Sequence, residues 1–230
     1  MKIHGLQKMT LLDYPGKVAC TVFFGGCDLR CPFCHNSDLL DMNAPAVMDE
    51  AELLRFLEGR RGLLEGVCFT GGEPLMRPEL PDLCREIKKL GYPIKLDTNG
   101  FRPDALKDLI DNKLIDYVAM DIKNSPARYA ATSGREQLNL EPLYKSIALL
   151  KEEKADYEFR TTVVAELHEK ESFQEIGEMI RGAKRYFLQR FTDRETVLFA
   201  GLSAPSTDDM KEYLSIVQPF VREAALRGVE

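Results

Sequence analysis

The chain has 230 residues, a net charge of −6 and a hydrophobic fraction of 44%, which is enough apolar material for one large domain with a core. Acidic and basic residues are mixed along the chain, which disfavours a protein whose main partner is nucleic acid, because such binders need a basic face. No apolar run is long enough to cross a membrane, and no signal segment opens the sequence. We therefore expect a cytoplasmic protein with no membrane partner.

Short apolar runs alternate with amphipathic stretches along the chain. Strands are predicted at 18–24, 67–70, 94–97, 117–121, 157–164 and 185–191. Helices are predicted at 49–60, 78–90, 103–112, 141–151 and 172–181, and in a last region that follows "APSTDD" and is broken by Pro219. Asp49 and Glu52 form a plausible capping pair for the first helix, and Gly91 is placed to end the second.

The alternation of six strands with helices predicts right-handed βα units around a parallel sheet. No linker or shift in composition divides the chain, so we expect a single domain over residues 1–230. A closed eight-stranded barrel usually takes about 250 residues. Six units in this length suit an α/β fold of the open, partial (β/α)6 barrel type, although a flat doubly wound sheet fits the pattern equally well.

Three of the six cysteines lie close together after the first strand, where Cys27, Cys31 and Cys34 follow a C-x3-C-x2-C spacing. Three thiolates could hold zinc with His35 as a fourth ligand, or three irons of a 4Fe–4S cluster. Because His35 adjoins Cys34, the zinc geometry demands an awkward turn. A cluster with three protein ligands leaves one iron open, as catalysis requires. The other three cysteines are predicted to be buried and structural: Cys20, Cys68 and Cys84.

Polar or glycine-rich residues also follow the next three strands, as "TGGEP" at 70–74, "DTNG" at 97–100 and "MDIK" at 120–123. In parallel α/β folds, ligands and chemistry gather at the carboxyl ends of the strands. These segments should therefore be neighbours of the cysteine cluster. That convergence is stronger evidence than any one motif.

Each of these segments also has an ordinary structural interpretation. The Gly-Gly pair could be a tight turn, or it could let the backbone approach a ligand while Glu73 accepts from a cationic group. Asp121 and Lys123 lie two apart in a strand and so share a face, either as an exposed ion pair or around a ligand in the barrel. Arg160 is a charge in mid-strand among apolar residues, where none is expected. Weaker candidates lie in the sixth strand: Gln189 and Arg190.

The quoted segments together resemble a known family. The triple-cysteine motif followed by GGEP is similar to the radical S-adenosylmethionine superfamily, and the resemblance spans residues 12 to 191. "DYPGK", "CPFCHN", "GGEPL", "LDTNGF" and "MDIK" more narrowly resemble the activating enzymes of glycyl-radical enzymes. The greatest similarity within that group is to the activating proteins of anaerobic ribonucleoside-triphosphate reductases.

The resemblance implies a role for each matching residue. The three cysteines would bind a 4Fe–4S cluster whose fourth iron is chelated by S-adenosylmethionine. The residues implied to contact that cofactor are Gly71, Gly72 and Glu73 at the methionine amino group, Asp97, Thr98 and Asp121 beside it with room for a monovalent cation, Lys123 and Arg160 at its carboxylate and ribose, and Phe33 near the adenine. The implied reaction takes hydrogen from a glycine of a partner glycyl-radical enzyme, and a flavodoxin or ferredoxin supplies the electron.

Two other functions compete with this interpretation. One is a radical enzyme that acts on a small molecule, a nucleotide or an RNA base, which would have to enclose its substrate in a pocket. The other is a non-enzymatic zinc-binding interaction module, which would leave the charged residues at the strand ends without a role.

Overall fold

The computed structural model describes residues 1–229. Its strands are β1 Lys2–Ile3, β2 Gly5–Thr10, β3 Ala19–Phe24, β4 Met48–Asp49, β5 Gly66–Gly71, β6 Ile94–Thr98, β7 Tyr117–Asp121, β8 Asp156–Val163, β9 Arg185–Arg190 and β10 Glu223–Arg227. Its α-helices are α1 Glu50–Glu58, α2 Leu80–Lys89, α3 Pro103–Asp111, α4 Tyr129–Thr132, α5 Glu141–Lys151, α6 Lys170–Met179 and α7 Thr207–Val217.

The main sheet has eight strands in the order β10-β9-β8-β7-β6-β5-β3-β2. All neighbours run parallel except β2, which pairs antiparallel with β3. No pairing joins β10 to β2 within the described part of the chain, so the sheet is open. The prediction of an open, partial α/β barrel is confirmed.

Each end of the six predicted strands lies within one residue of its observed position, in β3 and β5–β9. The Asp49 and Glu52 capping box starts α1, with both of its hydrogen bonds at 2.8 Å. Gly91 has φ +91° after α2, and Pro219 lies just beyond the end of α7, as predicted. The sequence patterns missed α4 and the two outer strands, β2 and β10.

The two faces of the central strands have different surroundings. In β6, Ile94 and Leu96 pack into the apolar core beneath the helices, whereas Lys95 and Asp97 point into the barrel. Side chains alternate in this way because successive residues of a strand point to opposite faces. Most of the apolar core therefore lies outside the barrel wall, and the interior of the barrel holds polar and charged groups together with a small apolar cluster at its amino end.

Tyr14 closes part of the barrel interior at its amino end. It is buried beside Ala19, Tyr117 and Ala119, with 6.1 Å between the two tyrosine ring centroids. Any Cβ atom at Gly66 would lie 2.9 Å from the Tyr14 ring, so that position requires glycine. Within residues 1–229, no helix combines the length and apolar character needed to span a membrane.

Candidate active site

The carboxyl ends of the parallel strands surround a cavity of about 380 Å³. The structure brings all twelve predicted site residues to its wall: Cys27, Cys31, Phe33, Cys34, Gly71, Gly72, Glu73, Asp97, Thr98, Asp121, Lys123 and Arg160. Gln189 also lines the cavity. Arg190 does not, and its Nε donates to the Pro205 carbonyl at 2.8 Å.

The cysteine loop leaves β3 and is held by backbone hydrogen bonds. The Cys27 amide donates to the Leu40 carbonyl at 3.3 Å, and the Cys34 amide donates to the Cys31 carbonyl at 3.1 Å, which closes the C-x2-C turn. Burial raises the pKa of the Cys27 thiol to about 12 and also raises that of Cys31. Without a metal these two thiols stay protonated at neutral pH, so metal binding must displace their protons.

Gly25, at the start of this loop, is held by hydrogen bonds to both its amide and its carbonyl. Its amide donates to His4 Nδ1 at 2.9 Å, and its carbonyl accepts from Arg77 Nη2. Burial lowers the pKa of His4, with help from the nearby positive charge of Arg77, which keeps the ring neutral and able to accept. His4 lies in the amino-terminal segment, which therefore helps to hold the loop.

The glycine pair after β5 packs against the cysteine loop itself. The Gly72 amide donates to the Phe24 carbonyl and the Glu73 amide donates to the Gly26 carbonyl, both at 2.7 Å. A Cβ atom at Gly72 would lie 2.1 Å from the Gly26 carbonyl oxygen, and Gly71 has φ +116°. The sequence left open a tight turn or close approach to a ligand, and the contact that excludes a side chain at Gly72 is with protein backbone.

The Glu73 carboxylate is buried and bound by three protein donors. Thr98 Oγ1 donates to it at 2.8 Å, the Asn99 amide at 2.7 Å and the Leu75 amide at 3.1 Å. Burial raises the pKa of Glu73 to about 7, although these donors favour the charged form. Glu73 therefore ties the end of β5 to the end of β6.

A ladder of alternating charges runs up one side of the barrel interior, in the order Lys95, Asp97, Arg160, Asp121 and Lys123. Arg160 Nη2 lies 3.1 Å from Asp97, and Lys123 Nζ lies 2.8 Å from Asp121. Burial opposes ionisation, but the adjacent cations outweigh it and lower the pKa of both aspartates. The same attraction raises the pKa of both lysines. With three cations and two anions, the ladder carries one surplus positive charge.

Aromatic side chains form another wall. Phe33 is buried against Val164 and Phe191, and Lys123 Nζ lies 5.9 Å from its ring centroid. His35 stacks on Phe191 with 5.5 Å between centroids, and its Nε2 is 2.7 Å from the Thr192 carbonyl oxygen. Since that nitrogen already has a protein partner, only Nδ1 of His35 is left for any metal.

Two contributors to the site were not predicted. Lys95 is 2% exposed and contacts Asp97 at the foot of the ladder. Its position two residues before Asp97 in a strand was the signal that could have revealed it. The turn after α4 also supports the cysteine loop, because Arg30 donates its amide to the Ser133 carbonyl at 2.9 Å, and a Cβ at Gly134 would lie 2.0 Å from the Arg30 carbonyl.

The donor set fits an iron–sulfur cluster. Within residues 1–229, no three His, Cys, Asp or Glu side chains are grouped closely enough to ligate one metal ion. A cluster does not need such convergence, because each thiolate binds a different iron atom. The other three cysteines, Cys20, Cys68 and Cys84, are buried as predicted.

Comparison with known proteins gives the same picture. A sequence profile of the Radical SAM superfamily matches residues 21–183. A Methanocaldococcus jannaschii protein, provisionally named a glycyl-radical enzyme activating enzyme, is 28% identical over 99% of this chain and 96% of its own. The pyruvate formate-lyase-activating enzyme of Clostridium pasteurianum is 32% identical over 64% of this chain, which spans 63% of that enzyme.

Two further similarities bear on fold and function. The 7-carboxy-7-deazaguanine synthase of Thermococcus kodakarensis is 27% identical over 73% of this chain and 72% of its own. A solved domain of a pyruvate-formate lyase-activating enzyme from Bacteroides vulgatus superposes with a TM-score of 0.56, at 19% identity, over 71% of this chain and 99% of that one. At that identity the superposition supports the fold alone.

Proposed function

Because the chain belongs to the radical SAM superfamily, whose profile covers residues 21–183, we propose that it is an activating enzyme for a glycyl-radical enzyme. The observation that carries the proposal is the meeting of three cysteine thiols with the charge ladder around one cavity, inside the matched segment. The similarity to an M. jannaschii protein of the same provisional name, over nearly the whole of both chains, supports the activating role.

Membership of the superfamily implies a 4Fe–4S cluster and S-adenosylmethionine. When bound, they supply a one-electron cleavage that yields a 5′-deoxyadenosyl radical able to take hydrogen from a glycine α-carbon. Cys27, Cys31 and Cys34 would hold the cluster, since their thiols line the cavity and leave one iron without a protein ligand.

The charge ladder would bind the anionic part of S-adenosylmethionine. Its end at Lys123, which faces the cavity, suits a carboxylate. Arg160 lies between Asp97 and Asp121 and already supplies positive charge to both, so a monovalent cation there would have to share these carboxylates with it.

The neighbouring residues would orient the rest of the cofactor. The Glu73 carboxylate already accepts from three protein donors, and the Gly71 carbonyl accepts from Asn36 Nδ2 at 3.2 Å, so the methionine amino group would share these acceptors and the Gly72 backbone with the protein. Thr98 holds Glu73 in place. Phe33 offers an apolar face to the adenine and helps to exclude water from the cavity.

For the partner we favour anaerobic ribonucleoside-triphosphate reductase, with a flavodoxin or ferredoxin as electron donor. Both are implied by the overall resemblance of the sequence to that group of activating enzymes. Pyruvate formate-lyase-activating enzymes are also similar to this chain, so pyruvate formate-lyase is the second glycyl-radical enzyme to test.

A second candidate function is supported by the similarity to 7-carboxy-7-deazaguanine synthase. In that case the substrate would be a small molecule or nucleotide enclosed with the cofactor in the cavity. The zinc-binding module gains no comparable support, because it gives the charge ladder no role.

The test is 5′-deoxyadenosine formation by protein reconstituted anaerobically with iron and sulfide, supplied with S-adenosylmethionine and dithionite. We expect product with the wild type and none with Cys31→Ala, while Cys84→Ala, a buried cysteine on α2, keeps activity. A glycyl-radical signal on adding reductase, measured by electron paramagnetic resonance, would then identify the partner. Product that requires a nucleotide and is unaffected by either protein would instead support the second candidate.

A further inference from the structure

The cysteine loop has an inner and an outer face. Cys27, Leu29 and Cys31 line the cavity, while the residues between them, Asp28 and Arg30, do not. Arg30 is exposed to solvent, and Asp28 is half-buried and accepts from Asn99 at the cavity rim. The outer face is therefore accessible to solvent, and only the backbone of the loop separates it from Cys27 and Cys31.

Three guanidinium groups gather on that outer face, which we call the arginine face (Arg30, Arg102 and Arg135). Arg30 Nη1 donates to the Cys27 carbonyl at 2.5 Å and to the Leu29 carbonyl at 2.7 Å. Arg102 Nη2 lies 3.2 Å from the Asp28 carboxylate, and Arg135 donates to the Asp28 carbonyl. All three arginines are exposed, although they come from separate βα units.

The arginine face keeps most of its positive charge. Arg30 and Arg135 donate to neutral carbonyls, and within residues 1–229 neither forms an ion pair. Among the residues that the structure describes, Asp28 is the one carboxylate paired with the group, and it also accepts from Asn99 Nδ2 at 2.8 Å. Three cations against one anion leave a surplus of two positive charges, on a chain whose net charge is −6.

We propose that the arginine face docks an acidic electron-carrier protein that reduces the cluster. This proposal rests on the proposed function. One electron passes from the reduced cofactor of the carrier to the cluster, with no bond made or broken. Charge complementarity selects an acidic partner, and the contact of Arg30 with the Cys27 carbonyl brings the docked carrier to the loop that holds the cluster. The glycyl-radical enzyme would then bind on the cavity side of the loop, and the electron carrier on the outer face.

The first experiment follows anaerobic reduction of the wild-type cluster by a reduced acidic flavodoxin, using stopped-flow absorbance at increasing salt. Docking between opposite charges should slow about tenfold between roughly 50 and 500 mM salt. Reduced methyl viologen, a small cation, provides the control, because salt should not slow its reaction. A flavodoxin rate that is insensitive to salt overturns the proposal without any variant.

The second experiment changes the face while keeping the fold. The double variant Arg102→Gln/Arg135→Gln should slow flavodoxin-driven reduction about tenfold and flatten its salt dependence. Arg102→Lys/Arg135→Lys keeps the charge and should stay within about threefold of the wild type. Arg181→Gln/Arg222→Gln, which removes two exposed arginines from the other end of the barrel, should leave the rate unchanged.

The outcomes separate this inference from the proposed function. If dithionite drives 5′-deoxyadenosine formation in the wild type but flavodoxin reduces the lysine and glutamine variants equally well, the docking proposal fails alone. If the arginine face slows only glycine activation and not reduction, it belongs to the substrate protein and the proposal is wrong. If dithionite yields no 5′-deoxyadenosine even with partner proteins, the proposed function fails, while the salt dependence still reports on docking.

Discussion

Two cavities of the same volume, about 380 Å³, lie at opposite ends of the barrel. The one at the amino end is lined by three cations and three carboxylates. Its buried Glu158 accepts from the Tyr117 hydroxyl at 2.6 Å and from Nη1 and Nη2 of Arg227 at 2.6 and 2.8 Å. The negative charge of Glu158 is therefore compensated within the protein. The cavity at the carboxyl end is lined by three cations and four carboxylates, and also by three cysteines and by the glycine turn after β5. Volume therefore does not identify the site, whereas the three cysteines, which line the carboxyl-end cavity and not the amino-end one, do.

Asp97→Asn, in the charge ladder, should have the largest effect of the substitutions that test this difference between the two ends. The change leaves Lys95, which is 2% exposed, without a counter-charge, so we expect unfolding to become easier by about 3–5 kcal/mol. Chemical denaturation of the cluster-free protein measures it. Lys95→Met/Asp97→Asn, which removes the stranded cation as well, should recover part of the loss. A loss below about 1 kcal/mol in the single variant would mean that Lys95 is not held by Asp97.

Gly72→Ala tests whether backbone contact distinguishes the carboxyl end. Its Cβ would collide with the Gly26 carbonyl, so we expect a loss of about 3 kcal/mol and weaker iron retention after reconstitution. Gly59→Ala is the matched control, because its Cβ meets only ordinary contacts at 3.6 Å and its φ of −69° suits alanine. Equal stability of the two variants would contradict the close packing of the two loops.

The pH dependence of stability reports on Glu73. Its pKa of about 7 in the folded protein lies above the ordinary value of 4.5, so the folded state favours the protonated acid. Stability from this group is complete below about pH 4.5 and is lost as pH rises toward 7, by about 2–3 kcal/mol. Denaturation of the cluster-free protein across this range measures the slope. Glu73→Gln should flatten it, and an unchanged slope in that variant would assign the titration to other groups.

Glu158→Gln is the counterpart at the amino end and should have the smallest effect. Arg227 is about one-third exposed and can turn to water, so we expect a loss of about 1–2 kcal/mol. Formation of 5′-deoxyadenosine should stay unchanged. Loss of that activity without loss of stability would show that the two ends of the barrel are coupled.

Most of the fold follows from apolar periodicity, because the central strands are buried and the helices are amphipathic. The pattern fails where burial is partial. β2, with the sequence GLQKMT, is polar and borders β3 on one side, and β10 follows the region read as helical. α4 has only four residues, too few for a helical period. These elements are specified by long-range packing contacts, which local apolar periodicity does not report.

The site was more predictable than its supports. The twelve residues meet because parallel strands deliver their carboxyl ends to one edge. Glu73 shows the limit of that reasoning. Its place was predicted, but its three protein donors depend on the register between β5 and β6 and on the turn at Asn99. The expected contacts with S-adenosylmethionine stay predictions until the experiments above are done.

The close contact between Gly134 and the Arg30 carbonyl limits where residues can be inserted into this chain. The cysteine loop rests on the turn after α4, where no side chain fits between Gly134 and Arg30, so one residue inserted there would shift the cysteines. Gly182 also has a positive φ, of +80°, but a Cβ atom there would lie 4.0 Å from its nearest neighbour, the Lys151 side chain. We expect insertions, tags and grafted loops to be tolerated near Gly182 and rejected between α4 and α5. Engineering of this scaffold should begin at the amino end of the barrel.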